Sequence, residues 1–197
     1  MLKVGITGGI GSGKTTVCKV FELLGIPVYY ADDEAKNILD TNAEVKNKII
    51  QYFGNEVLND SGLIDRKKLA AFVFNDKTKL NYLNSIVHPA VGLHFENWLE
   101  KNSNSNYILK EAAILFESGA YKAVDKVIAV VAPIELKIQR VMQRDKTTSE
   151  QVEQRINNQL SDDEKIKRAQ YVIYNDEKQL LLPQILTIHQ QLNTTKA

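Results

Sequence analysis

With one cysteine, Cys18, in 197 residues, the chain has no intramolecular disulfide to hold its fold together. Thiol usage this sparse suits a reducing compartment. Charge of one sign is also lacking. Lys and Arg number 25 against 24 Asp and Glu, a net charge of +1, which leaves no broad field to attract nucleic acid or an acidic membrane surface. No apolar run approaches the ~18 residues of a membrane span, and Met1-Leu2-Lys3-Val4 leads straight into a strand pattern with no leader signature. Internal repeats and low-complexity stretches are missing as well. A soluble, cytoplasmic protein with neither nucleic-acid nor membrane partners is expected, long enough to bury a sizeable core.

What the chain does contain is Gly8-Gly9-Ile10-Gly11-Ser12-Gly13-Lys14-Thr15, the G-x-x-x-x-G-K-[ST] phosphate-binding pattern. Its glycines allow positive φ and let backbone N–H groups converge on a β-phosphate, Lys14 reaches β/γ oxygens, and the Thr15 hydroxyl is placed to hold Mg²⁺. The context fits. Leu2 to Thr7 reads as a buried strand, and Lys14 to Leu24 as a helix with Val17, Val20, Phe21 and Leu24 on one apolar face. Cys18 falls inside that helix, where a small buried side chain is the first reading and a thiol activated near the helix N-terminus the alternative.

Strand and helix patterns alternate along the chain, predicting a parallel five-stranded sheet flanked by helices. The remaining strands are expected at Pro27 to Ala31, Asn106 to Leu115, Lys126 to Val131 and Tyr171 to Tyr174. A last helix spans about Lys178 to Leu192, with Pro183 in its first turn or at a kink. Residues 34–101 carry helical spacing and little strand signal, with a turn at Asp60-Ser61-Gly62, a helix opened by Asp65-Arg66 and another begun at His88-Pro89. The expected organisation is one domain over 1–197. Its nucleotide core comprises 1–33, 102–144 and 169–197, with an inserted helical lobe at 34–101 and a lid at 145–168, too hydrophilic for core and read as a mobile cover.

Ligands of open α/β sheets lie beyond the carboxyl ends of the strands. Asp32, at the end of the second strand, is therefore a candidate to accept the proton of an attacking hydroxyl in phosphoryl transfer. The competing reading is an N-cap of a helix beginning at Asp33. Arg140 and Arg144, four residues apart on the helix after the fourth strand, are candidates to grip the triphosphate; Arg144 next to Asp145 is alternatively a surface ion pair.

Taken in order, several stretches resemble one family. They are Ile6 to Thr15, Tyr30-Ala31-Asp32, Gly62 to Leu69, Ile86-Val87-His88-Pro89, Ile114 to Gly119, Gln139 to Asp145, Arg155 to Gln159, and Val172 to Asn175. Together they are similar to the dephospho-CoA kinases. The resemblance implies transfer of the ATP γ-phosphate to the ribose 3′-hydroxyl of dephospho-CoA, with ATP and Mg²⁺ as cofactors. Asp32, Lys14 and Arg140 take the catalytic roles. It also implies nucleotide contacts from Gly9, Gly11, Ser12, Gly13, Lys14, Thr15, Thr16, Arg140, Arg144 and Asn175, and acceptor contacts from Asp32, Arg66, His88 and Glu117, in a monomer or small homo-oligomer.

Four positions depart from the family pattern: Tyr30 for an aspartate, Lys36 for an arginine, Ala113 for a proline and Gln170 for an aspartate. None lies in the phosphate loop. Another small-molecule kinase, acting on nucleosides or nucleotides, shares the loop, arginines and lid. A nucleotide switch would carry Asp-x-x-Gly and Asn-Lys-x-Asp elements, and neither occurs.

Overall fold

A computed structural model describes residues 1–74 and 76–194. Five parallel strands form one sheet: β1 (Leu2–Thr7), β2 (Val28–Tyr30), β3 (Tyr107–Glu111), β4 (Lys126–Val131) and β5 (Tyr171–Tyr174), in the order β2-β3-β1-β4-β5. The first strand sits at the centre, paired to β3 on one side and β4 on the other. A sheet made wholly of parallel strands needs both faces covered, and its strands read as continuous apolar runs. Every residue of β3 is buried and β4 is nearly so. On one face Leu2, Val4, Ile6, Ile128, Val130 and Ile173 pack with Val17, Cys18 and Phe21 of α1 (Lys14–Leu23) and Ile185, Ile188 and Leu192 of the last helix.

The third strand is shorter than its apolar run suggests. Its partner β1 ends at Thr7, and past the Ile6 to Glu111 pairing no neighbour remains, so after Ala112 donates to the Ile6 carbonyl the chain turns away. Its turn is tied back by Thr7 Oγ1, which donates to the Ala113 carbonyl.

The chain divides into two compact units, Met1–Tyr30 with Asn102–Ala197, and Ala31–Lys101. Ala31 to Asp33 therefore go with the helical unit, not with the core as the sequence boundary at residue 34 has it. The second unit is built from α2 (Ala31–Thr41), α3 (Ala43–Phe53), α4 (Arg66–Val73) and α5 (Lys77–Lys101). Helix α2 starts directly at the end of β2, and Asp32, Asp33 and Glu34 occupy its first turn, where carboxylates oppose the positive end of the helix dipole. A small core of Ile38, Val45, Ile49, Phe53, Val57, Ile64, Leu69 and Val87 holds the unit together.

Of three local readings within this unit, the 60–62 turn and the helix opened at Asp65-Arg66 hold, and the start at His88-Pro89 does not. The 59–62 turn is organised by Asn59, whose Oδ1 accepts from the N–H groups of Ser61 and Leu63, both at 3.0 Å. Asp65 caps α4 by accepting from Lys67 and Lys68, so Arg66 is its first residue. His88-Pro89 starts no helix, because α5 runs unbroken for 25 residues with Pro89 inside it. An interior proline costs about 3 kcal/mol. Tyr82, Leu83, Ile86, Val87, Ala90 and Val91, packed on the small core on both sides of it, offset that cost.

In the first unit α6 (Ile134–Asp145), α7 (Ser149–Asn157) and α8 (Asp162–Arg168) lead to β5, and α9 (Leu181–Thr194) follows, with Pro183 in its first turn as expected. Among the described residues no helix is long and apolar enough to cross a membrane.

Candidate functional site

The phosphate loop bridges the carboxyl end of β1 and the first turn of α1. Ser12 N donates to the Gly9 carbonyl at 3.1 Å, and Val17 N takes up the helix ladder on the Gly13 carbonyl at 3.2 Å. Gly13 adopts φ +94°, a left-handed conformation open to glycine, and a Cβ there would lie 2.1 Å from Asn175 Nδ2. That amide is not incidental, since it donates to the Ser12 carbonyl at 2.8 Å. A turn with successive amides near a helix N-terminus makes an anion cradle. The buried Ser12 hydroxyl has no hydrogen-bond partner. An orphaned donor in such a loop suits a phosphate oxygen.

Two cations converge on the loop. Lys14 Nζ donates to the Gly8 carbonyl at 2.9 Å and lies 3.8 Å from Glu111 Oε1, with both side chains about nine-tenths buried. Arg140, on α6, spreads its guanidinium over the Asn175 carbonyl at 3.3 Å, the Gly11 carbonyl at 3.5 Å and Glu177 Oε1 at 2.9 Å. Arg144, one turn along, forms a two-pronged pair with Asp145 at 2.7 and 3.1 Å, and Arg155 reaches the same carboxylate at 2.9 Å. The hydrogen bond from Arg144 is the main cause holding the Asp145 carboxyl below the usual range.

Thr15 and Thr16 are exposed in the first turn of α1. Among the described residues no three His, Cys, Asp or Glu side chains gather as a cation site. The donor set fits Mg²⁺ of a nucleotide complex, which takes most of its ligands from phosphates and water and needs one hydroxyl such as that of Thr15. Cys18 lies fully buried behind the loop. Burial, with Glu111 adding to it, pushes the thiol well above its ordinary pKa. That removes the thiolate a reactive cysteine needs.

Glu117 lies in the turns after β3. Its Oε1 accepts from Leu160 N at 2.8 Å and sits 3.7 Å from the buried Lys165 Nζ. Asn175 is beside the loop, as described. In the helical unit Asp32 is half-buried in the first turn of α2, past the end of β2 and not at the N-cap, because Ala31 is already helical. Arg66 NH2 meets Asp40 at 3.0 Å, and His88 is exposed midway along α5. Lys36, standing for the family arginine, pairs with exposed Asp33. Tyr30, in the aspartate position, has its hydroxyl pushed upward first by burial and then by Cys18 and Glu22.

Several loop-facing residues escaped the sequence reading. Glu111 gave one signal, an acidic residue next to Lys110 at the end of a strand that is apolar up to Leu109. Lys137 and Asp162, 2.9 Å apart behind the loop, gave none, since both stand in polar stretches that read as solvent-facing.

A family model described as dephospho-CoA kinase matches residues 2–180. A dephospho-CoA kinase of Bacteroides fragilis is 41% identical over 187 residues, covering 95% of this chain and 91% of its own length. One from Fusobacterium nucleatum is 43% identical over 173 residues, covering 88% and 89%. Among solved structures, dephospho-CoA kinase from Campylobacter jejuni superposes with a TM-score of 0.71 at 31% identity, over 97% of this chain and 96% of that one.

Proposed function

The chain belongs to the dephospho-CoA kinase family and uses ATP to phosphorylate dephospho-CoA in coenzyme A biosynthesis, and on that premise we propose how its own residues divide the work. Gly9, Gly11, Ser12, Gly13, Lys14, Thr15 and Thr16 hold the triphosphate, Lys14 bridges its β/γ oxygens, and Arg140 neutralises charge that spreads over the γ-phosphoryl group during transfer. Asp32, two residues beyond β2, accepts the proton of the ribose 3′-hydroxyl. That oxygen bonds to the γ-phosphorus as the bond to the β–γ bridging oxygen breaks, leaving ADP. Thr15, together with the nucleotide, would hold Mg²⁺, which would supply further charge neutralisation.

Arg66, His88 and the 34–101 lobe receive the acceptor, Glu117 supports its side of the site, and 145–168 covers the nucleotide with Arg144 available to the phosphates. Asn175 contributes to the nucleotide pocket from beside Gly13. The setting is cytoplasmic, and the partners are small molecules only. The observation that carries this reading is the cradle itself, where the orphaned Ser12 hydroxyl, Lys14 and Arg140 meet around glycine backbone.

Purified protein with Mg-ATP should convert dephospho-CoA to a product phosphorylated at the 3′ position, read by phosphorus NMR, and leave nucleoside monophosphates untouched. Phosphate found at another hydroxyl would remove the assignment of Asp32.

A further inference from the structure

Residues 159–165, inside the segment whose composition reads as a mobile cover, are bolted to the phosphate loop and its neighbours. Gln159 Oε1 accepts the N–H of Ile10, at the crest of the loop, at 2.9 Å. The next residue, Leu160, donates its N–H to Glu117 Oε1 at 2.8 Å, and its carbonyl accepts from Lys165 Nζ. Lys165 is completely buried and lies 3.7 Å from the same Glu117. Asp162 Oδ2 meets the buried Lys137 Nζ at 2.9 Å. These groups close directly on the loop. A Cβ on Gly9 would stand 3.4 Å from Lys137 Nζ, 3.5 Å from Asp162 Oδ1 and 3.7 Å from Gln159 Oε1.

Buried charges persist when they are paired and hydrogen-bonded, and such networks fix geometry more than they add stability. Here the network immobilises the backbone on either side of Gln159, so its amide oxygen is delivered to one place. The group it meets is a loop amide that no helix or strand ladder satisfies.

We propose that Gln159 is a positioning residue for ATP. By holding the Ile10 N–H, it keeps the crest of the loop in the shape that turns the following amides toward the phosphates, before the nucleotide arrives. The inference rests on the reading of Gly8 to Thr15 as the triphosphate cradle. Pre-ordering of this kind acts on nucleotide affinity, because the ordering cost is met in the free protein and not on binding. It does not touch the acceptor or the reacting atoms.

The test uses Gln159→Met, similar in length but without an oxygen acceptor. Calorimetry should show ATP binding about tenfold weaker, the worth of one hydrogen bond. KM for ATP should rise in parallel, while KM for dephospho-CoA and kcat stay within about twofold, since uniform binding is what is lost. The Ile10 amide should exchange with solvent faster. Gln159→Glu keeps an acceptor oxygen and should restore protection at Ile10. If Gln159→Met does not fold, Gln159→Asn, one methylene too short to reach, is read the same way. ATP affinity unchanged in the variant, or both KM values rising together with a lower Tm, would overturn the proposal as a merely structural contact. Wild-type protein that takes up no ATP would instead overturn the reading of the loop.

Discussion

Lys14 Nζ rests on the carbonyl oxygen of Gly8, 2.9 Å away and six residues back in its own loop, with Glu111 at 3.8 Å on its other side. Its charge is thus held where the phosphates belong, by contacts a triphosphate can replace. Lys14→Ala should lower kcat/KM by on the order of 10²-fold or more and weaken ATP binding as well, because the ammonium faces phosphate oxygens in ground and transition states alike. Steady-state kinetics with calorimetry separates the two. A rate loss with unchanged affinity would mean that Lys14 acts only once the reaction is under way.

Asp32 lies in the first turn of α2, one residue past the helix start at Ala31. Asp32→Asn keeps the shape and removes the base. kcat should fall by on the order of 10²-fold, the usual worth of positioned proton transfer, with the Kd for ATP within about twofold of wild type. Undiminished turnover would reduce Asp32 to an ornament of the helix dipole.

Gly13 is bounded by Asn175, and its φ of +94° disfavours any side chain. Gly13→Ala should cost about 1–3 kcal/mol of stability from backbone strain, measured by urea unfolding. It should also push the Asn175 amide off the Ser12 carbonyl. The amide proton and side-chain NH₂ signals of the loop would report that displacement. An alanine variant of wild-type stability would show that the loop relaxes more readily than its packing suggests.

Lys165 is buried, and burial is the main reason its pKa lies below the ordinary lysine value of 10.5, with Lys137 and Lys14 adding to the fall against the pull of Glu117 and Asp162. Between the folded-state value and 10.5 the unfolded chain binds more protons, so this group makes stability rise with pH there. Below that window both states carry the charge, and the fold bears the full cost of burying it. The difference in unfolding free energy between wild type and Lys165→Met should therefore grow in favour of wild type as pH rises from the folded-state value toward 10.5. The hydroxyls of Tyr30 and Tyr107, both raised mainly by burial, act in the opposite sense but cancel in the comparison. A difference that is flat or falls over this range would contradict the burial of a charged Lys165.

How much could be read from the chain depended on whether an element's environment was uniform. Strands β1, β4 and β5 were legible to the residue because each is a short run dominated by apolar and β-forming side chains. The third strand was over-read because nothing in Ala112 to Leu115 announces that β1 has run out of residues to pair with. Pro89 reads as a start signal, since a proline's local penalty is visible in sequence and the packing that outweighs it is not. The loop and its two cations came from motif and helical spacing. The anchoring of 159–165 did not, because averaged hydrophilicity cannot tell a buried lysine such as Lys165 from a solvated one, and Lys137 and Asp162 are 25 residues apart.

Cys18 has no exposed surface and a strongly protonated thiol, one turn behind the loop on the same helix. A thiol-reactive dye can modify it only in molecules whose α1 has come away from the sheet. The lone sulfur thus serves as a native clock for opening of the nucleotide end of the core, and saturating ATP should slow its labelling without any tag or substitution having been introduced.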